Sequence, residues 1–187
     1  MRLDRERDQV YQPAEDSDLL ASAARAEATP TDRVLDVGTG SGYVASEVAA
    51  TGAQVVGVDR NPHACREARD HGVETVLGDL TTAFASSIFD LVTFNPPYLP
   101  TTPDEKTDDW MGIALSGGET GRAVIEPFLA GVGRVLAPDG RVLLLASTLS
   151  DLDAVRDRAT EAGFVAETVA EDSFPFEKLV VCRLTRE

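Results

Sequence analysis

The chain has 187 residues, 43% of them hydrophobic, and a formal net charge of −15. That length suits one domain with a sizeable core, and no apolar run approaches the length of a membrane span. The acidic balance argues against non-specific nucleic-acid binding, which depends on neutralising phosphates with Lys and Arg.

The first eight residues alternate charges and hold no apolar signal region, so a cytoplasmic setting is expected by default. A helix is predicted over 15–28, with Leu19 and Leu20 on its apolar side and Thr29-Pro30 at its end. Strand and helix signals then alternate: strand 33–37, helix 43–50, strand 54–59, helix 62–71, with Asn61-Pro62 as cap and first-turn proline. Strands 73–77 and 90–95 follow, then a Pro- and Asp-rich loop over 99–109. A helix over 121–136 is expected to end at Pro138-Asp139-Gly140. The apolar run 141–147 reads as a strand buried on both faces. Helix 150–162 and strands 164–169 and 179–184, linked by 170–177, close the chain. Alternating β and α predicts an α/β fold, a mostly parallel sheet with helices on both sides. The last two strands can form an antiparallel hairpin at one edge.

Two motifs bear on chemistry. Val34-Leu35-Asp36-Val37 runs into Gly38-Thr39-Gly40-Ser41-Gly42, a G-x-G-x-G turn between strand and helix. Glycines there permit tight turning and close approach of a ligand to the backbone. The spacing is not the dinucleotide G-x-G-x-x-G, and a Gly-rich turn alone also serves packing. Asp59 ends the second strand roughly 20 residues beyond the glycines, where an acid in doubly wound folds receives a ribose hydroxyl pair. The second motif is Asn95-Pro96-Pro97-Tyr98, directly after Leu91-Val92-Thr93-Phe94. Two prolines cannot extend a sheet ladder and push the preceding residue toward an extended backbone. Asn95 is therefore expected at the mouth of a buried strand, its amide on a stiff ledge where it can accept from a flat –NH₂. Asp36, Asp59, Asp79 and Asn95 all fall at or just after ends of successive strands, the edge where open α/β sheets bind ligands. Asp79 with Leu80 is placed beside an adenine, although Asp79 suits a turn cap before Thr81-Thr82 nearly as well.

Taken together, Asp36-x-Gly38-x-Gly40-x-Gly42, Asp59 and Asn95-Pro96-Pro97-Tyr98 resemble a class I S-adenosylmethionine-dependent methyltransferase with a Rossmann-like, seven-stranded sheet. Val10-Tyr11-Gln12-Pro13-Ala14-Glu15-Asp16-Ser17-Asp18-Leu19-Leu20 and Gly117-Gly118-x-x-Gly121-Arg122 resemble the HemK-type protein glutamine methyltransferases. The similarity is to the short archaeal and eukaryotic branch acting on the GGQ motif of class 1 translation release factors. A single domain over 1–187 is expected, with 1–30 covering the cofactor and 31–187 forming the core. The separate N-terminal helical domain of bacterial HemK enzymes is not expected. The resemblance implies S-adenosylmethionine as cofactor, bound by Gln12, Pro13, Glu15, Asp16, Asp36, Gly38, Thr39, Gly40, Gly42, Asp59, Arg60, Asp79, Leu80 and Asn95. It also implies that Asn95 and the Pro96 carbonyl accept hydrogen bonds from the substrate amide, with Pro97 stiffening the ledge and Tyr98 bordering the substrate side chain. Proline and early acids around Pro13 to Asp16 equally suit a helix start. A small zinc-binding activator is the implied partner, docking on the edge strand 73–77 that carries Val73, Val76 and Leu77.

Cys65, Cys182, His63 and His71 show no metal-ligand spacing, and free thiols are expected. Lys106 and Lys178 are the only lysines, and acids are spread along the whole chain. That composition suits a surface in a high-salt cytoplasm, as in a halophilic archaeon, where self-repulsion is screened. Two alternatives share parts of the pattern: an N6-adenine methyltransferase on DNA or RNA, and a cofactor-binding scaffold without catalysis. The first lacks a basic patch here; the intact Asn95 ledge speaks against the second.

Overall fold

The computed structural model describes residues 9–187, so the charge-alternating stretch 1–8 lies outside the described residues. The elements are α1 (Glu15–Glu27), β1 (Arg33–Val37), α2 (Tyr43–Ala49), β2 (Gln54–Asp59), α3 (Pro62–Asp70), β3 (Glu74–Leu77) and β4 (Phe89–Phe94). Then come α4 (Trp110–Leu115), α5 (Ile125–Val135), β5 (Leu136–Ser147), a 3-10 turn (Thr148–Ser150), α6 (Leu152–Glu161), β6 (Phe164–Phe174) and β7 (Glu177–Arg186). The seven strands form one sheet in the order β3-β2-β1-β4-β5-β7-β6. The first five run parallel; β7 is antiparallel to both β5 and β6. This is the predicted α/β architecture, a mostly parallel seven-stranded sheet with an antiparallel C-terminal hairpin.

Period-two alternation explains why the central strands are apolar throughout. In β5, Val142, Leu144 and Ala146 pack with Phe128, Val132 and Val155 on the face covered by α5 and α6. Leu143 and Leu145, between them, point to the other face and pack with Leu20, Ala24, Val44 and Val48 from α1 and α2. The sequence order reverses between β1 and β4, whose ends lie side by side with Val37 opposite Phe94. A crevice at the carboxyl ends of these strands follows from that reversal.

Four predicted boundaries are corrected. The helix expected over 121–136 begins at Ile125, because Gly118 and Gly121 adopt φ of 69° and 72°. A Cβ on Gly121 would lie 2.6 Å from the Tyr98 carbonyl, so this turn must stay left-handed and close-packed. Pro138-Asp139-Gly140 does not separate helix from strand. It bulges out within β5, between Leu136 opposite Phe89 and Arg141 opposite Leu91, where a proline costs no ladder hydrogen bond. The hairpin extends well past its predicted ends, with β6 reaching Phe174 and β7 starting at Glu177, and absorbs an irregularity between Thr168 and Ala170. Finally, α4 arises where no helix was expected; the Asp109 side chain caps it by accepting from the Gly112 N–H at 2.9 Å. The Asn61 cap is present as expected, accepting from the His63 N–H at 2.9 Å.

Phe94, the last residue of β4, stacks on Phe128 of α5 with ring centroids 4.4 Å apart, so the strand that carries Asn95 is seated on α5. Phe128→Ala is expected to destabilise the fold by about 3–5 kcal/mol, read from urea unfolding. A loss below about 1 kcal/mol would show that the surrounding core collapses into the space.

Candidate functional site

The site starts with the glycine turn after β1. Gly38, Gly40 and Gly42 all have positive φ, which the Cβ of other residues disfavours. The Thr39 N–H donates to the Val58 carbonyl at 3.1 Å and the Gly42 N–H to the Thr39 carbonyl at 2.8 Å, folding the turn over the end of β2. Gly57 makes room for it, since a Cβ there would meet the Thr39 side chain at 2.7 Å. Asp59 closes the arrangement: its carboxylate accepts from the Gly40 N–H at 2.9 Å and from the Asn61 N–H at 2.8 Å. Burial raises the Asp59 carboxyl above its ordinary value, against the lowering effect of those backbone donors.

Beneath the turn, Asp36 is buried. One carboxylate oxygen accepts from the Thr39 hydroxyl at 2.7 Å, the other from the Thr93 hydroxyl at 2.7 Å. Burial pushes its carboxyl up to about 6, more than the two hydroxyls can offset.

Across the crevice, Asn95 stands at the end of β4. Its Nδ2 donates to the Asp16 carboxylate at 3.0 Å. Its Oδ1 is buried and has no hydrogen-bond partner among the described residues. A buried acceptor left unpaired costs free energy that a bound donor would recover. The Tyr98 phenol is half-buried beside it, its pKa raised by burial first and then by the carboxylates of Asp16 and Glu177.

The glycine turn, Asp36, Asp59 and Asn95 line one cavity. Among the residues expected to bind cofactor or substrate, Pro13, Asp36, Gly38, Thr39, Gly40, Asp59, Arg60, Asp79, Leu80, Asn95 and Pro97 line it. Arg60 and Asp79 face each other at its rim, N to O 3.7 Å. Asp79 also starts a turn, but through its carbonyl, which accepts from the Thr82 N–H, and not through its carboxylate. Leu80 takes φ of 49°, a left-handed conformation unusual for a branched side chain and held here beside the cavity.

Six expected residues lie outside the cavity lining, among them Tyr98, which packs against the apolar cluster shared by α1, α2 and β5. Gln12 is exposed and turns outward, donating to the Glu67 carboxylate at 3.1 Å. Glu15 is exposed on the first turn of α1. Gly42 packs α2 onto α3, where a Cβ would come within 2.9 Å of the Ala68 methyl. Pro96 is buried behind the ledge. Asp16 is buried under Asn95, held away from the cavity by the donors it serves.

Other residues of the site escaped sequence reading. Trp110, Ile113 and Ala114 of α4 form one wall, with Val10, Tyr11 and Ser17 from the N-terminal segment. Thr93 was visible as the one hydroxyl in an apolar strand, and its register opposite Asp36 gives it a purpose. Glu177, whose carboxylate accepts from the Ser147 hydroxyl at 2.6 Å, carried no sequence signal because β7 is distant along the chain.

The arrangement suits an adenosyl cofactor. Backbone at a strand-to-helix turn is open to close approach, since a Cβ on Gly40 would meet nothing nearer than 3.9 Å. An acid ends β2, and Asn95, whose buried amide oxygen has no partner among the described residues, lines the same cavity. No group of three or more His, Cys, Asp or Glu side chains among the described residues could hold a metal ion.

Comparison with known proteins shows similarity to methyltransferases. Residues 34–112 match the methyltransferase domain family. A protein named as an N5-glutamine methyltransferase in Methanocaldococcus jannaschii is 34% identical over 95% of this chain and 92% of its own. The human methyltransferase HEMK2 is 31% identical over 95% of this chain and 90% of its own. Among solved structures, the E. cuniculi Mtq2–Trm112 complex, responsible for methylation of the eRF1 translation termination factor, contains a chain similar at TM-score 0.79 and 29% identity. That likeness covers 96% of this chain and 99% of the other.

Asp36 generates a pH prediction. Its folded-state carboxyl, at about 6, lies above the unfolded value of 3.8. The native state therefore holds the proton more tightly, and the stability this gives is present below pH ~4 and lost as pH rises through ~6. Relative to Asp36→Asn, the wild type is expected to lose about 3 kcal/mol between those limits. Urea unfolding of both proteins across that range measures it; parallel pH profiles would refute it.

Proposed function

Since this chain belongs to the S-adenosylmethionine-dependent protein N5-glutamine methyltransferases, we propose that it methylates the glutamine of the GGQ motif in a class 1 peptide chain release factor. The unpartnered, buried Oδ1 of Asn95, a residue of the cavity lining, carries this reading. An amide nitrogen is a weak nucleophile because its lone pair is delocalised into the carbonyl. A glutamine side chain entering beside Tyr98 would present its –NH₂ to Asn95 Oδ1 and to the Pro96 carbonyl. Two acceptors on the two hydrogens leave the nitrogen aimed along one line, and they favour positive charge as it develops there. S-adenosylmethionine, held by the glycine turn and Asp59, would supply an electrophilic methyl group on sulfur, and the electron pair of the broken carbon–sulfur bond would stay on sulfur. The nitrogen then sheds one proton to water, restoring a neutral amide. Two consecutive prolines after Asn95 stiffen the ledge, so orientation is set before substrate arrives.

The glycine turn would approach the cofactor's methionine portion, with Asp36 fixing the turn from below. Asp59 would take the ribose hydroxyls, and Asp79 with Leu80 would border the adenine. A substrate that works in translation would put the enzyme in the cytoplasm. No helix among the described residues is long and apolar enough to cross a membrane.

A small zinc-binding activator completes the proposal. β3 forms one border of the sheet, with Leu77 exposed there. An unpaired strand edge offers main-chain donors and acceptors that a partner strand can use. The complex formed by the similar Mtq2 chain supports a partner of this kind.

Two experiments test this function. Asn95→Ala is expected to lower transfer of labelled methyl to a purified release factor by at least ~10²-fold while cofactor binding, read by calorimetry, persists. Label found on DNA or RNA instead of glutamine would reverse the substrate assignment. Leu77→Asp is expected to reduce co-purification with the activator, leaving the fold intact by circular dichroism; undiminished capture would move the docking site off β3.

A further inference from the structure

Asp16 lies on the first turn of α1, 79 positions from Asn95 in sequence, and is buried. One of its oxygens, Oδ1, accepts from the Ser17 N–H at 2.7 Å and from the Ser17 hydroxyl at 3.2 Å. The Tyr11 hydroxyl reaches both oxygens, at 3.2 and 3.3 Å. The remaining direction of Oδ2 is filled by Asn95 Nδ2 at 3.0 Å. A carboxylate accepts hydrogen bonds and has none to give, whereas a carboxamide has a different group at each end. Turning the Asn95 amide over would set oxygen against oxygen and strand two donors in the cavity. The contact with Asp16 therefore permits one orientation, the one that leaves Oδ1 free.

We infer that Asp16 is a positioning residue for methyl transfer: through its contact with Nδ2 it selects which end of the Asn95 amide meets the substrate. This rests on the reading that Asn95 receives the substrate –NH₂, and it assigns to Asp16 a role different from cofactor contact. Tyr11 and Ser17 hold the carboxylate so that the selection is made before substrate binds.

The isosteric change Asp16→Asn separates positioning from packing. Asn at this place keeps Oδ1 on the Ser17 N–H and offers an –NH₂ where Oδ2 was. The Asn95 amide is then expected to turn over, placing its own –NH₂ in the cavity against the –NH₂ of the substrate. With release factor and activator present, kcat should fall on the order of 10²-fold. KM for the release factor and Kd for S-adenosylmethionine should stay within about threefold, with Tm within a few degrees. A residue that merely packs would tolerate so conservative a change. A second readout needs no substrate: the Asn95 side-chain –NH₂ signal in nitrogen-15 correlation spectra, identified by its loss in Asn95→Asp. In the wild type one of its protons should be shifted downfield and slow to exchange, and Asp16→Asn should abolish both features. Unchanged kcat in Asp16→Asn, or an Asn95 signal indifferent to it, would overturn the assignment. Transfer by the wild type to adenine in place of glutamine would overturn the substrate reading alone, and the amide signal would still decide the role of Asp16.

Discussion

One buried carboxylate ties the two halves of the site together. Asp36 takes the Thr39 hydroxyl of the glycine turn on one oxygen and the Thr93 hydroxyl of β4 on the other. The turn follows β1 and the Asn95 ledge follows β4, so a ligand spanning both needs these strand ends fixed relative to each other. Backbone pairing of β1 with β4 sets the register, Asp36 opposite Thr93. The two side-chain bonds then prevent the loops beyond that register from moving independently. The carboxyl is destabilised by burial in exchange, an imbalance that is found where function and not stability sets the choice of residue.

A second imbalance lies a few residues away. Asn95 Oδ1 has no partner among the described residues, although most buried acceptors find one. Its other end is satisfied by Asp16. An amide with one end fully engaged and the other vacant in hydrogen-bonding terms is pre-organised for a donor brought from outside. The conflict between local satisfaction and global fold is confined to the position where a substrate amide would relieve it.

Much of this was legible in the chain because strong local chemistry dictated it. Three glycines at alternate positions after Val34-Leu35-Asp36-Val37 required a left-handed turn, and Asn95-Pro96-Pro97 could only end a strand. The apolar run of β5 left no choice but burial on both faces. What stayed hidden was set by contacts between distant segments. Gly42 belongs to the same motif as Gly38 and Gly40 yet serves α3, and nothing in the spacing distinguishes a glycine that admits a ligand from one that admits Ala68. Gln12 and Asp16, four residues apart in one motif, part company because α1 begins between them. The extended segment leaves Gln12 turned toward Glu67, and the first helical turn swings Asp16 beneath Asn95. The bulge at Pro138 likewise depends on its neighbour strand, since only pairing with β4 shows that those residues have no ladder bond to lose.

The dependence of Asn95 on Asp16 explains why α1 must be anchored at both ends. Leu20, Ala21 and Ala24 pack its apolar side against Val44, Val48 and the β5 residues Leu143 and Leu145. At the far end Arg141 of β5 binds the Glu27 carboxylate at 3.2 Å and Asp32 at 3.0 Å, holding the helix terminus over the base of the sheet. Asn61 reaches across to the Gln9 carbonyl at 2.7 Å and fixes the segment that precedes the helix. A helix held by one end alone could pivot, and a pivot of about one ångström would part Asp16 from Asn95 beyond hydrogen-bond reach. The ion pairs at the base of the sheet thus bear on the proposed methyl-transfer site by keeping α1 seated. Their contribution to folding stability and their contribution to catalysis are separate quantities, since a chain can stay folded with the amide of Asn95 free to turn over.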